Sequence, residues 1–462
     1  MPQEVRRQDW LGSIPYFYNP ITGRHSENIN DVIEWSNLEF DHVGLTNYLQ
    51  HGFSVFGRTP VKNVHFLQPN EVLFRGDTGS LHVSKTDDIV DSWSFAPVSE
   101  SDVLDYLKSM VGTWSDHSQN HIILPLSGGF DSRLLLWAVS DKSRLTCVTF
   151  GNTRIQKRSD EIIKARSLAR NMGVEWMSFE LNRIHSRLDA WNNMYGAASH
   201  AHGMYQMDFY DQVAARYRGT FPSVLSGLVG DIWSGNIPYR RFQDAKDLPL
   251  LAYAHGLTAD PDRALVAPDY GGMDEAFDYR REHLSSWELQ LVETVRTKMI
   301  LLQYLISVPQ SYGLTVSAPY LDPDYVHMVL SIDPQRRQGR LWQTDFFSSI
   351  QLVPSTPRFG VQKFNSLNLE AYAREGLPDL DVERLSPWFK REYLTDVNRV
   401  VRNFRVRERV AQVTRSRGQR FLPGPLRLSR WSEAYASYLL LFPLQRALER
   451  ADGVIDPYLH QS

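Results

Sequence analysis

The 462-residue chain has a single cysteine, Cys147, so it can build neither an internal disulfide nor a thiolate metal cluster. It has no uncharged apolar run of 18 residues, which excludes a helical membrane span. A basic excess is also absent. The 50 Lys and Arg stand against 53 Asp and Glu, for a net charge of -3, so nucleic acid is not an expected partner. The amino end, MPQEVRRQDW, has no apolar core of the signal-peptide kind. Together with the lone thiol this gives a soluble, cytoplasmic protein as the expectation. What the chain does have is apolar bulk: 42% of its residues are hydrophobic, with 12 Trp, 21 Tyr and 22 Phe. That is enough for a large core and excludes disorder over most of the length.

Two regions are expected. Residues 1–98 read as a β-rich piece, with short runs at Ile14–Tyr18, Gly52–Phe56 and Glu71–Phe74 and one helix near Leu45–His51. A Ser- and Asp-rich stretch then leads into residues 99–462. There the pattern alternates: a helix from Ser101, a buried strand His121–Leu126, a helix Asp131–Val139, a strand Leu145–Phe150, a helix Ser159–Met172 and a strand Glu175–Glu180. Such alternation predicts an α/β fold with a doubly wound parallel sheet. Beyond about residue 280 the pattern is helical, through Leu289–Ser311, Tyr325–Ser331 and Leu428–Ala451.

The most informative segment is Ser127-Gly128-Gly129-Phe130-Asp131-Ser132, between a buried strand and a helix. Paired glycines free the backbone so that several N–H groups can converge on one anion, and the helix amino end adds partial positive charge. Ser127 and Ser132 add hydroxyl donors. Asp131, expected as an exposed loop acid, would repel a phosphate unless a Mg²⁺ ion bridged them. Arg133 reads as a surface helical residue. The GxxxxGK[ST] loop of kinases and GTPases occurs nowhere in the chain.

This hexapeptide resembles the pyrophosphate loop, Ser-Gly-Gly-x-Asp-Ser, of the N-type ATP pyrophosphatases (the PP-loop superfamily). Further segments resemble the asparagine synthetase family. These are Thr149-Phe150-Gly151 with Asp160-Glu161, then Ser226-Gly227-Leu228-Val229-Gly230-Asp231 followed by Ser234-Gly235, and Pro319-Tyr320-Leu321-Asp322. The front piece is similar to the later half of that family's glutaminase domain. The resemblance implies a PP-loop synthetase domain over 99–462, preceded by a truncated glutaminase-like piece over 1–98. It further implies ATP and Mg²⁺ as cofactors, with Asp131 and Asp231 facing the metal. Leu126, Ser127, Gly128, Gly129, Phe130, Ser132, Ser226, Gly227 and Gly230 would surround the phosphates. Thr149, Phe150 and Gly151 would meet the adenosine. The implied activity is an amide-forming ligase that adenylates a carboxylate and releases pyrophosphate.

Departures from the family narrow this reading. The glutaminase nucleophile is an amino-terminal cysteine, but residue 2 is Pro. The expected nitrogen donor is therefore free ammonia, a separate glutaminase or an amine substrate. Thr315, Ser317 and Leu228 stand where aspartate-using members carry charged residues. The expected acceptor is a small-molecule carboxylate other than aspartate: a sugar acid, as in proteins thought to amidate uronic acids in glycan-modifying clusters, or an amino-acid or peptide derivative closed into a macrocycle. An RNA-modifying PP-loop enzyme and a non-catalytic nucleotide-binding regulator are the readings of other classes. A cation near the adenylate is expected at Arg358 or Lys363, each of which also reads as an ordinary solvated charge. Between Arg391 and Arg430 lie eleven Arg and three acids. This segment reads as an anion-binding surface, or as solvated helix faces paired with acids elsewhere. His200 and His202, spaced for a strand but without a third ligand, are placed on a loop lining the acceptor pocket.

Overall fold

The computed structural model describes residues 2–77, 79–118, 120–220, 222–252, 257–355, 360–363, 365–403 and 429–455. The front piece holds two small antiparallel sheets. In one, β5 (Glu71–Arg75) pairs on its two edges with β1 (Gln3–Arg7) and β6 (Leu81–Lys85). In the other, β2 (Phe17–Tyr18) pairs with β3 (His25–Ser26) and β4 (His65–Phe66). The expected helix is present as His42–His51, capped by the Asp41 carboxylate on Gly44 N and ended by Gly52 at φ 86°. The strand expected at Gly52–Phe56 is absent. Gly52 turns the chain and Phe56 sits at φ 56°, so the segment makes only single bridges, Phe53 to Ser199 and Val55 to Arg58.

The central feature is a five-stranded sheet in which every pairing is parallel: β7 (Ile122–Pro125), β8 (Leu145–Phe150), β9 (Glu175–Phe179), β10 (Ser223–Leu225) and β11 (Thr315–Ser317), in the order β11-β10-β7-β8-β9. The expected doubly wound α/β class is therefore what the chain forms. Successive strand residues face opposite layers. Ile123, Val148 and Val224 pack with the front piece and the C-terminal helix Ser429–Ala451, whereas Ile122, Leu124, Cys147 and Leu225 pack against the helices Phe130–Ala138 and Pro323–Leu330. The front piece joins the main core: Tyr48 donates its hydroxyl to the Leu440 carbonyl at 3.0 Å, and Leu11 and Val90 enter the opposite layer.

The helical run expected over Leu289–Ser311 is two helices, Trp287–Leu302 and Tyr304–Ser311, separated at Gln303, whose side chain donates back to the Ile300 carbonyl. Among the described residues no helix is long and apolar enough to cross a membrane.

Because β7 and β10 are neighbours but lead into connections on opposite sides, the sheet switches direction between them. A crevice must open there at the carboxyl ends of the strands. The loops leaving these two strands are 126–131 and 226–231.

Candidate functional site

The first loop is shaped by its glycines. Gly128 sits at φ 80° with its α-carbon against the Lys164 side chain, leaving no room for a Cβ. Gly129 is the N-cap of the helix Phe130–Ala138, and no side chain caps that helix, so its first N–H groups are available to an anion. Ser127 and Ser132 close the loop on itself: Ser127 N donates to Ser132 Oγ at 3.3 Å and Gly129 N to Ser127 Oγ at 3.2 Å.

Arg133 is not on the surface. It is 7% exposed, donates to the Gly128 carbonyl at 2.9 Å and lies against the stacked Phe130 and Phe347 rings, 5.0 and 4.8 Å from their centroids. Helical periodicity turns it inward, and the loop carbonyl together with two aromatic faces satisfies its charge; burial lowers its pKa to about 10.

The second loop lies directly on the first. A Cβ on Gly230 would stand 2.7 Å from the Tyr320 ring and 3.0 Å from Asp131 Cβ; one on Gly227 would stand 3.6 Å from Ser132 N. Glycine at 230 is thus what permits the approach. Val229 between them holds φ 58°, a strained conformation for a β-branched residue. The Pro319-Tyr320-Leu321-Asp322 segment completes the clamp. The Tyr320 hydroxyl donates to the Asp131 carbonyl at 2.8 Å, its own carbonyl accepts from Trp233 Nε1 at 2.8 Å, and Asp322 caps the following helix through Tyr325 N.

Asp131 and Asp231 come together across Arg340. Its guanidinium lies 3.9 Å from Asp131 Oδ1 and 3.9 Å from Asp231 Oδ2. Asp131, with 19% of its side chain exposed, is more enclosed than a loop acid was expected to be. Its Oδ1 is buried and accepts no hydrogen bond. Burial first, and the Asp231 charge second, push its pKa up to about 7, against the lowering effect of Arg340. Two adjacent carboxylates, one with an unused oxygen, are a donor set suited to a hard divalent cation such as Mg²⁺.

Arg340 is the cation that the sequence did not disclose. It holds φ 60° beside Gly339, and the neighbouring chain is fastened to the second loop's turn: Gly235 lies against the Arg337 carbonyl, and Trp342 Nε1 donates to the Ser234 carbonyl at 3.3 Å. Arg358 lies outside the described residues. Lys363 is exposed, next to Gln362, which bridges to Ser159.

Two cavities meet at this junction and share Pro125, Ser127, Phe150, Gln206 and Phe209. One, about 290 Å³, runs past Leu126, Val148, Thr149 and Phe150 to a polar end at Asn152, Glu161, Asn365 and Asn368. A lining that combines apolar side chains with amide and carboxylate groups has the chemistry to take a purine nucleoside. Thr149 is held by its own hydroxyl on the Leu126 carbonyl at 2.7 Å and by Trp176 Nε1 at 3.1 Å. Gly151 lies against the Gln156 backbone rather than in the cavity. His202 lines this first cavity, not the second, and His200 is buried, accepting from His202 N through Nδ1 at 3.2 Å. The second cavity, about 340 Å³, contains Ser127, Asp131, Ser132, Ser226, Gly227 and Asp231. It also contains Lys298, 3% exposed on the helix Trp287–Leu302. A lysine next to the apolar run Met299-Ile300-Leu301-Leu302 was a readable signal, since a charge beside four apolar residues in a helix needs a reason.

Of the arginine-rich segment, residues 404–428 lie outside the described residues. On the helix Arg391–Arg402, Arg391, Arg399 and Arg402 pair with Glu383, Asp396 and Asp379. The described part thus takes the form of exposed helix charges matched by acids.

No family model matches the chain, and no curated protein does. Among solved structures it is similar to a glutamine-dependent NAD+ synthetase from Acinetobacter baumannii, at 14% identity and a TM-score of 0.24, over 65% of this chain and 53% of that one. It is also similar to an NH3-dependent NAD synthetase from Campylobacter jejuni subsp. jejuni NCTC 11168, at 14% identity and a TM-score of 0.24, over 57% of this chain and 99% of that one. The chain thus aligns with about half the length of the first of these synthetases.

Proposed function

We propose that this chain is an ATP-dependent, amide-forming ligase of the asparagine synthetase type, which adenylates a substrate carboxylate with release of pyrophosphate and then passes the acyl group to ammonia or an amine. The observation that carries this reading is the pairing of Asp131 with Asp231 across Arg340, at the mouth of an uncapped helix and between two joined cavities. One cavity suits a nucleoside and the other an acceptor. Their junction at Ser127 is where the inner phosphorus of a bound ATP would face the acceptor.

In this reading the loop amides and the Ser127 and Ser132 hydroxyls hold the outer phosphates. Asp131 and Asp231 would hold Mg²⁺, which when bound supplies positive charge to the departing pyrophosphate. The acceptor carboxylate oxygen attacks the α-phosphorus, and the bond to the pyrophosphate oxygen breaks. Arg340, fixed beside both acids, meets the negative charge that develops there. The amine then adds to the acyl carbon of the mixed anhydride, loses a proton and expels AMP. Phe150 and Phe209, shared by both cavities, exclude water from the junction.

The test is product analysis with ATP and a panel of carboxylic acids. AMP and pyrophosphate are expected, together with exchange of labelled pyrophosphate into ATP that requires the acid. Formation of ADP and orthophosphate would refute the mechanism.

A further inference from the structure

Among the described residues Lys298 is the one cation lining the second cavity, and the wall around it is unlike the side formed by the two loops. Away from the two loops the lining is mostly apolar or aromatic, with Phe209, Tyr210, Ile237, Leu302, Tyr304 and Leu305, and Gln206 as its uncharged polar member. The same helix buries Leu291, Val292, Val295 and Met299 in the core, and its other enclosed charges, Glu293 and Arg296, are paired with each other. Burial opposes the charge of the Lys298 ammonium, and the nearby Asp231 carboxylate favours it. Thr315 and Ser317 supply no charge to this cavity; the Thr315 hydroxyl is spent on Ser223 Oγ at 2.7 Å.

We infer that the acceptor is a carboxylic acid with an apolar or aromatic body, and that the Lys298 ammonium positions its carboxylate for attack while the body lies against Tyr210, Ile237, Leu302 and Leu305. This rests on the ligase reading and names the class of its substrate. A sugar acid fits the wall less well: Gln206 and the two tyrosines offer few partners for its ring hydroxyls, the rest would face Ile237, Leu302 and Leu305, and each one left unpaired weakens binding by roughly tenfold. An apolar body avoids that loss and gains from burial. Lys298 is a positioning residue: its group orients the reacting oxygen and takes no part in the bond changes, which are those of adenylation.

The experiment is calorimetry on the full chain saturated with α,β-methylene-ATP and Mg²⁺, with phenylacetate and glucuronate as probes. The wild-type protein is expected to bind phenylacetate at least about tenfold more tightly than glucuronate. Lys298→Gln and Lys298→Met are expected to lose at least about tenfold in phenylacetate affinity, the scale of a hydrogen bond to a charged group, and Lys298→Arg to recover part of it. Nucleotide affinity unchanged in all three variants shows that the fold and the first cavity persist. Tighter binding of glucuronate, no binding of phenylacetate, or phenylacetate affinity equal in wild type and Lys298→Gln each overturns the inference. Pyrophosphate exchange separates the two levels. Exchange that proceeds equally with and without Lys298 overturns this inference alone; Lys298-dependent acid binding without exchange supports the acid site and overturns the ligase reading.

Discussion

The Tyr320 hydroxyl donates to the main-chain carbonyl of Asp131 at 2.8 Å, so a residue far along the chain holds the acid of the first loop in place. Tyr320 is 1% exposed and its ring also abuts Gly230. Tyr320→Phe keeps the ring packing and deletes one hydrogen bond. It is expected to cost about 1 kcal/mol in denaturant unfolding and to lower kcat several-fold with the KM for ATP nearly constant. An unfolding midpoint and kcat both equal to wild type would show that the bond does not position Asp131.

Gly230→Ala is expected to separate the two loops. Its methyl group would stand 2.7 Å from the Tyr320 ring and 3.0 Å from Asp131 Cβ, and neither neighbour has space to retreat. Pyrophosphate exchange should fall by about 100-fold, on the scale of a misplacement of about 1 Å in a catalytic group. Gly112→Ala is the control. It lies in the helix Glu100–Ser118, its nearest neighbour would be Ser140 Oγ at 3.8 Å, and the change should stabilise the chain by up to about 1 kcal/mol with activity unaltered.

Asp131 sets a pH dependence with two readouts. Its pKa rises from 3.8 to about 7 on folding, chiefly through burial, so the native state binds the extra proton between these values. Stability should therefore decline as pH rises from about 4 to about 7 and level off above, with a slope of at most about 1.4 kcal/mol per pH unit. Asp131→Asn should flatten that slope in urea titrations. A metal ligand must be the carboxylate, so kcat/KM for ATP should rise through about pH 7, and higher Mg²⁺ should move this limb to lower pH.

Arg340→Ala removes the positive charge facing both acids. Because Arg340 lowers the Asp131 pKa, the limb near pH 7 should move upward. The rate of pyrophosphate formation should fall about 10²–10³-fold, the range seen when a preorganised charge partner of a transition state is deleted. Thermal stability should change little, since alanine keeps the Cβ and with it the strain of φ 60°. Arg340→Lys should restore part of the rate and leave the pH limb near its original position.

Three of the five parallel strands and the first loop were legible in the sequence because each is a local pattern, whereas the three-residue strands β10 and β11 are too short to show one. β7 and β8 appear as short, largely apolar runs, since strands buried on both faces have no polar side to show. β9, an edge strand with Glu175 and Ser178 exposed, was legible instead from its place in the strand–helix alternation. The loop between β7 and its helix could be read from two glycines, two serines and an acid in six consecutive positions. The front piece was read less well. The apolar run Gly52–Phe56 has strand composition, but its course is set by Gly52 at φ 86° and by packing on Ser199, more than 140 residues away.

The residues that turn a phosphate loop into a candidate reaction centre were decided by the tertiary structure. Arg133 and Lys298 are charged letters in helical stretches. One is inward because two aromatic rings and a loop carbonyl receive it, and the other because its helix forms the far wall of the second cavity. Arg340 lies in an irregular stretch, and nothing in its neighbours announces that Gly235 and Trp342 will carry it to Asp131 and Asp231. The sequence by itself determined the backbone that can bind phosphates, because strand burial, glycine freedom and helix-end polarity act over a few residues. Which charges face that backbone, and what an acceptor meets beside it, depended on the folding together of segments 100–200 positions apart, where packing and not local preference selects the partners.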